Sequence, residues 1–346
     1  MNIQQFVASY LPQVDAILGD LLQQQDSPVG PFYGMMRYHL GWADASLRPY
    51  DGNPGKRLRP LLCLLSCHVA GGDPTLALPA AAALELVHSF SLVHDDVEDG
   101  SPMRRGRSAV WNVWGTAHAI NVGDGLFALA RLAPSHLVAR GLPLARAVEA
   151  ARALDQACLA LCEGQFLDMS FEEHTDVDLE RYLQMIQRKT AALLAASAQI
   201  GAIVATDDAS TISLLQSFGE NLGMAFQIQD DVLGIWGQEE LTGKSTYTDL
   251  RDKKKTLPVI HALNQNPGSG DASRLAALYA DHEPLREDEI RETLAVLERA
   301  HSREYADAVA GQYLELSLDC LAPLGVPAPA KQMLTELALS LVSRRT

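Results

Sequence analysis

The stretch LALPAAAALELVHSFSLVHDDVED, residues 76–99, decides the fold. Its apolar residues recur at three- and four-residue spacing as far as Glu98, which is the period of an α-helix. The segment is apolar nearly all round, as suits a helix in the middle of a large bundle. It then ends in acids: Asp95, Asp96, Glu98 and Asp99. Working outward, the same spacing fills Leu142 to Phe171, Leu179 to Ala205, Ala209 to Trp236 and Glu287 to Leu321. Turn-forming clusters punctuate the chain, among them Gly71-Gly72-Asp73-Pro74, Gly100-Ser101-Pro102 and Asn266-Pro267-Gly268. No alternating β pattern persists, and there is no repeat or low-complexity linker. The expected fold is all-α: one domain, residues 1–346, of long antiparallel helices joined by short loops.

Composition narrows the function. The chain carries 28 Lys and Arg against 43 Asp and Glu, a net charge of −15. So acidic a protein is not expected to bind nucleic acid or an anionic membrane, which both need a cationic surface. The first twenty residues lack a basic segment and contain Asp15 and Asp20, so they do not read as a secretory signal. The longest apolar stretch, Thr190 to Ala205, includes Ser197 and Gln199. A spanning helix needs ~20 apolar residues, so this stretch reads as a buried core helix and no membrane span is expected. Five cysteines, an odd number in a long chain, do not suggest a disulfide framework. A reducing, cytoplasmic setting is expected.

Two acidic clusters break the pattern. Asp95-Asp96-Val97-Glu98-Asp99 ends one apolar helix, and Gln227-Ile228-Gln229-Asp230-Asp231 lies late in another. On a helix Asp95 and Asp99 share a face one turn apart. Two like charges there destabilise the helix, and its C-terminal dipole adds more negative charge. Hard divalent cations compensate well. Mg²⁺ in particular binds through one or two carboxylates plus waters and substrate phosphates. The alternative for each cluster is a solvated acidic helix end. Two such clusters, each followed by a basic loop, argue against it. Arg104, Arg105 and Arg107 follow the first, and Lys244 and Asp249-Leu250-Arg251-Asp252-Lys253-Lys254-Lys255 follow the second. Gly55-Lys56-Arg57-Leu58-Arg59-Pro60 and Arg188-Lys189-Thr190 add further basic groups. Together they suit a polyphosphate held between Mg²⁺ and guanidinium or ammonium groups. No Gly-rich phosphate loop precedes a helix, so an ordinary nucleotide site is not expected.

In order along the chain these segments resemble the trans-isoprenyl diphosphate synthases, or polyprenyl synthetases. Gly55 to Pro60 resembles the family's homoallylic-substrate motif. Asp95 to Asp99 with Arg104-Arg105 resembles its first aspartate-rich motif. Glu163-Gly164-Gln165 with Asp168 resembles its mid-chain segment, and Phe226-Gln227 with Asp230-Asp231 its second aspartate-rich motif. Gly243-Lys244 through Lys254 and Leu257-Pro258 resembles the lysine loop. One position departs: where the second motif usually has a third Asp, this chain has Gly234.

The resemblance implies an isoprenoid-synthase bundle around a central apolar cavity. It implies a short- or medium-chain Mg²⁺-dependent trans-prenyltransferase that condenses an allylic diphosphate (dimethylallyl, geranyl or farnesyl) with isopentenyl diphosphate head-to-tail. Three Mg²⁺ ions are implied, ligated by Asp95, Asp99 and Asp230, with Asp96 and Asp231 in support. Arg104, Lys189, Lys244 and Lys254 are implied to grip the allylic diphosphate, and Lys56, Arg59, His88 and Arg105 the isopentenyl diphosphate. Thr190 and Gln227 offer oxygens near the carbocation. His88 is seven residues, two helical turns, before Asp95 and so shares its face. A homodimer is also implied.

Product length is set, in this reading, by residues upstream of Asp95. Turning ~100° per residue, Ser91, Val87 and Leu84 fall within roughly 80° of Asp95 around the helix axis, while Phe90 is about 140° away. The role of Phe90 rests on the resemblance, since short- and medium-chain members often carry an aromatic five residues before the first Asp. Phe90 beside small Ser91 resembles the pattern of geranylgeranyl (C20) synthases, with C15 and C25 as neighbouring alternatives. Three rivals stand beside elongation. A class I terpene cyclase would leave Lys56 and Arg59 unexplained. Squalene- or phytoene-type condensation does not account for the loop lysines. A non-catalytic synthase subunit tends to lose an acidic motif, and both are present.

Overall fold

The computed structural model describes residues 2–23, 27–53, 55–172, 174, 176–237, 247–265, 267–280, 283–326 and 328–342. The chain is 76% helical. Among the described residues the one sheet is a two-stranded hairpin, Met103–Arg104 paired with Arg107–Ser108. The all-α expectation holds. The chain divides into two compact units, Met1–Asp155 with Ala196–Ser213 and Val326–Leu334, and Gln156–Ala195 with Leu214–Gly325 and Thr335–Thr346.

The first unit contains α1 (Ile3–Leu21), α2 (Gly30–His39), α3 (Leu58–Val69), α4 (Pro74–Glu98), α5 (Val110–Trp114), α6 (Thr116–Leu132) and α7 (Ser135–Ala139). Helix α4 is its axis. Asp73 caps the N-terminus by accepting from the Thr75 N–H at 2.9 Å, and Pro74 occupies the first turn, where no N–H is needed. Helices α1, α3 and α6 pack on α4, so Ala77, Ala81, Leu84 and Leu86 are sealed from water. By length and mean hydropathy α4 could cross a membrane, but 78% of its apolar window is buried in protein. The all-round apolar pattern is that of a core helix. None of the five cysteines is bridged.

Helix α8 (Leu144–Glu172) begins in the first unit and continues in the second. The stretch expected as one helix from Leu179 to Ala205 is three pieces: α9 (Leu179–Ile186), a π-helical turn at Gln187–Ala191, and α10 (Ala192–Ala205). Helix α11 (Ala209–Trp236) matches its expected bounds. The run from Glu287 is interrupted at His301, whose φ of 52° divides it into Glu287–Arg299 and Ser302–Asp319. No Gly or Pro stands there, so the break leaves no mark in the sequence. Helices Thr248–Arg251, Leu257–Gln265 and Gly270–Leu278 close on the end of α11 through a core that includes Ile235, Leu250, Val259, Leu275 and Tyr279.

Candidate active site

In the first unit, the acidic end of α4 is met by the hairpin. Arg105 and Gly106 at its tip have φ of 53° and 75°, the left-handed pair that a two-residue type I′ turn requires. This turn returns Arg104 to α4, where Nε donates to Asp96 Oδ1 at 2.7 Å and Nη2 to Asp95 Oδ2 at 3.0 Å. Asp96 is 1% exposed. Burial pushes its carboxyl above the usual carboxylate range, while the bond from Arg104 works against that rise. Its Oδ2 has no hydrogen-bond partner. Asp95 and the half-buried Asp99 lie one turn apart, and the Asp99 N–H donates to the Asp95 carbonyl at 2.8 Å.

The three basic residues of the Lys56-Arg57-Leu58-Arg59 segment have different surroundings. Arg57, at φ 47°, turns inward and is 4% exposed. It donates to Asp15 Oδ1 at 3.0 Å and to Glu85 Oε1 at 2.6 Å. Lys56 is exposed and Arg59 half-buried. The Arg105 guanidinium lies against Gly55, where a Cβ would stand 2.7 Å from Nη2. Burial depresses the His88 imidazole, and the charges of Arg59 and Arg105 depress it further. The structure therefore brings Arg59, His88 and Arg105 into one cationic neighbourhood. His39, which the sequence did not single out, belongs there too: it is buried, and Arg105 and Arg104 add to its depression by burial. Val87 is buried. Ser91 Oγ donates to the His88 carbonyl at 2.9 Å. The Phe90 ring packs on His94 and Phe127, at 5.7 and 5.3 Å between centroids.

In the second unit a cavity of about 140 Å³ is lined by Lys189, Thr190, Gln227, Asp230, Asp231 and Lys254, all expected from the sequence, and by Asp168, Tyr182, Asp249 and Lys255 among others. The π turn presents Lys189 and Thr190. Such turns recur at functional sites. Two glycines make room for it: a Cβ at Gly164 would lie 2.1 Å from the Lys189 nitrogen, and one at Gly223 2.5 Å from Ala191 Cα. Lys189 Nζ donates to Asp168 Oδ2 at 2.5 Å. Thr190 Oγ1 donates to Gln227 Oε1 at 2.7 Å, and Gln227 Nε2 to Asp231 Oδ1 at 2.9 Å. Asp231 Oδ2 also accepts from the Tyr182 hydroxyl at 2.5 Å and the Leu257 N–H at 2.9 Å. Burial lifts the Asp231 carboxyl to about 7 despite these three donors. Asp230, its neighbour, is exposed. Lys244 lies outside the described residues. Tyr182 carried no sequence signal, since nothing local ties it to Asp231.

The donor set suits a hard divalent cation. Carboxylate oxygens from Asp95, Asp96 and Asp99 in one unit, and from Asp230 in the other, are the ligand type that Mg²⁺ takes. Among the described residues no three His, Cys, Asp or Glu form a closed metal cage.

Comparison with known proteins agrees. The family described as Polyprenyl synthetase matches residues 42–297. The (2E,6E)-farnesyl diphosphate synthase of Mycobacterium tuberculosis is 40% identical over 90% of this chain and 86% of its own. The geranylgeranyl diphosphate synthase of the same organism is 38% identical over 95% and 96%. Among solved structures, a polyprenyl synthetase from Streptomyces coelicolor A3(2) superposes with a TM-score of 0.87 at 38% identity, covering 95% of this chain and 96% of that one. A polyprenyl synthase from Caulobacter crescentus CB15, complexed with calcium and isoprenyl diphosphate, superposes at 0.84 with 30% identity, covering 99% and 97%. The chain belongs to the polyprenyl synthetase family, and is a transferase of that family.

Proposed function

We propose that the protein is a Mg²⁺-dependent trans-prenyltransferase that joins an allylic diphosphate to isopentenyl diphosphate, with geranylgeranyl diphosphate (C20) as main product. The carrying observation is the cavity where Asp230, Lys189 and Lys254 converge beside Thr190 and Gln227. Carboxylates and ammonium groups lining one cavity suit a metal-bound diphosphate. In the reaction the allylic C–O bond breaks and its electron pair leaves with diphosphate. The isopentenyl double bond attacks the cation, and a proton is lost to re-form a double bond. Bound Mg²⁺ supplies Lewis-acid stabilisation of the charge that grows on the leaving diphosphate. Lys189 and Lys254 hold that diphosphate, while the Thr190 and Gln227 oxygens face the allylic end. Asp231, held by three donors, fixes Gln227. In the first unit Asp95 and Asp99 are the metal ligands, with Arg104 orienting Asp95. Lys56, Arg59, His88 and Arg105 bind isopentenyl diphosphate. Neutral His88 donates or accepts a hydrogen bond without adding charge.

We read the whole chain as one polyprenyl synthetase domain that works as a homodimer in the cytoplasm. Support for the dimer comes from α8, where Leu144, Val148, Leu159 and Phe166 are exposed along the helix. The test is incubation with Mg²⁺, isopentenyl diphosphate and each of dimethylallyl, geranyl and farnesyl diphosphate, with products identified by mass. Elongated diphosphates are expected. A hydrocarbon formed without consumption of isopentenyl diphosphate would make the protein a cyclase, and no turnover would make it a non-catalytic subunit.

A further inference from the structure

We infer that His39 is a positioning residue for isopentenyl diphosphate: its uncharged ring offers the Nε2 lone pair to the Arg105 guanidinium and holds that group in place before substrate arrives. The inference rests on the prenyl-transfer reading and deepens it. His39 is the last residue of α2, and the hairpin is clasped to that helix end. Arg107 Nη1 donates to the Tyr38 carbonyl at 3.3 Å, and Nη2 to the Ala43 carbonyl at 2.6 Å. The Arg107 guanidinium lies 4.0 Å from the Tyr38 ring centroid, and the Tyr38 hydroxyl donates to the Ser108 carbonyl at 2.7 Å. The clasp fixes the hairpin's second strand against the end of α2, and so brings the hairpin tip to His39. His39 and Arg105 line one cavity of about 20 Å³, together with Asn53, Arg104, Arg107 and Ser108.

Two observations make the ring an acceptor. It is 8% exposed, and its Nε2 is sealed from solvent with no hydrogen-bond partner among the described residues. Leaving a buried polar atom unpaired is costly, so such an atom marks a partner still to be engaged. The charges that act on the ring most are also of one sign, those of Arg105, Arg104, Arg57 and Arg107. Nearby His88 is itself held neutral by burial. Among cations a neutral imidazole turns its unprotonated nitrogen toward them and its N–H away, because the lone pair is the negative end of the ring. The unpartnered Nε2 is therefore that nitrogen, and the proton sits on Nδ1. A charged ring would repel Arg105 instead of holding it. The cavity has room for one water, so Nε2 meets the guanidinium directly or through that water.

The test separates positioning from folding. In the full-length protein carrying nitrogen-15-labelled histidine, the His39 ring is read by long-range proton–nitrogen correlation and assigned by its loss in His39→Gln. A neutral ring protonated at Nδ1 is expected, even at the ordinary histidine pKa of about 6.5. A proton on Nε2, or a charged ring, overturns the inference. Michaelis constants for isopentenyl and geranyl diphosphate are then measured for the parent, His39→Leu and His39→Gln. Leucine fills the space without an acceptor, and glutamine returns an acceptor oxygen at about the reach of Nε2. His39→Leu is expected to raise the isopentenyl diphosphate constant roughly 10-fold, the size of a lost hydrogen bond to a charged group. The geranyl diphosphate constant and kcat should stay near parental, and His39→Gln should recover most of the loss. Equal rises in both constants, an unchanged isopentenyl diphosphate constant in His39→Leu, or no recovery in His39→Gln overturns the inference. If His39→Leu does not fold, as judged by circular dichroism, the tautomer decides alone. A parent that elongates nothing rejects the proposed function instead. Calorimetric binding of inorganic diphosphate then decides whether His39 positions Arg105: weaker binding in His39→Leu supports it and equal binding overturns it.

Discussion

The Arg57 guanidinium donates to Glu85 Oε1 at 2.6 Å, and both side chains are almost wholly sealed from water. Arg57 belongs to the basic segment assigned to substrate, yet its charge is used inside the first unit. Its left-handed backbone turns it inward, beside exposed Lys56 and half-buried Arg59. The buried pair thus anchors the segment that carries the substrate-binding cations. Glu85→Ala would leave Arg57 with Asp15 alone. Removing one partner of a buried pair costs about 3–5 kcal/mol. Denaturant melts should show a loss of that order for Glu85→Ala and almost none for Lys56→Ala.

Asp95→Ala and Asp230→Ala should each remove most elongation. Their stabilities should differ. Asp95 accepts from Arg104 at 3.0 Å, so Asp95→Ala loses an ion pair as well as a repulsion. Asp230 is exposed and lines one cavity with Asp231 and Asp249, so Asp230→Ala removes like charge at a solvated position and should change the metal-free melting temperature less than Asp95→Ala does. Comparable turnover at saturating Mg²⁺ in either variant would reject the metal assignment.

Substrate division should follow the two basic clusters. Lys56→Ala and Arg59→Ala should raise the Michaelis constant for isopentenyl diphosphate more than that for the allylic substrate. Lys244→Ala and Lys254→Ala should do the reverse. Equal effects of all four on both constants would show that the clusters do not divide the work.

The pH dependence of stability should carry the signature of Asp231. Its folded carboxyl titrates at about 7 against an ordinary value of 3.8. Between those values the folded protein holds a proton that the unfolded chain has released, so this residue makes stability fall as pH rises from about 4 to about 7, and no further above. His39 and His88 act in the opposite sense, since burial depresses both. Comparing the parent with Asp231→Asn cancels their contribution. Metal-free melting temperatures should fall less steeply, or rise more steeply, with pH in the variant. Identical slopes would contradict the burial argument.

Product length should respond at Phe90 and Ser91. Phe90 packs on Phe127 and His94, so Phe90→Ala opens space beside α6 and should lengthen the product. Ser91→Phe should shorten it. An unchanged product from folded, active Phe90→Ala would move the floor deeper, toward Val87 and Leu84.

The helices, most of their ends and both acidic clusters were legible in the sequence. Those are properties of neighbouring residues: a period of apolar side chains, a turn-forming Gly71-Gly72-Asp73-Pro74 ahead of the helix, carboxyls one turn apart. The breaks at Gln187–Ala191 and His301 were not legible. The first depends on how closely α8 and α11 approach at Gly164 and Gly223, and the second has no breaking residue. The same division separates residues that look alike in the chain. Asp230 and Asp231 are adjacent and identical, but only Asp231 meets Tyr182 and Leu257. Arg57 and Arg59 share one basic segment, but only Arg57 meets Glu85. Sequence alone determined that carboxylates and cations would be clustered. Which of them stay in water and which are buried was decided by the tertiary structure, because desolvation and hydrogen bonding are set by partners far away in the chain.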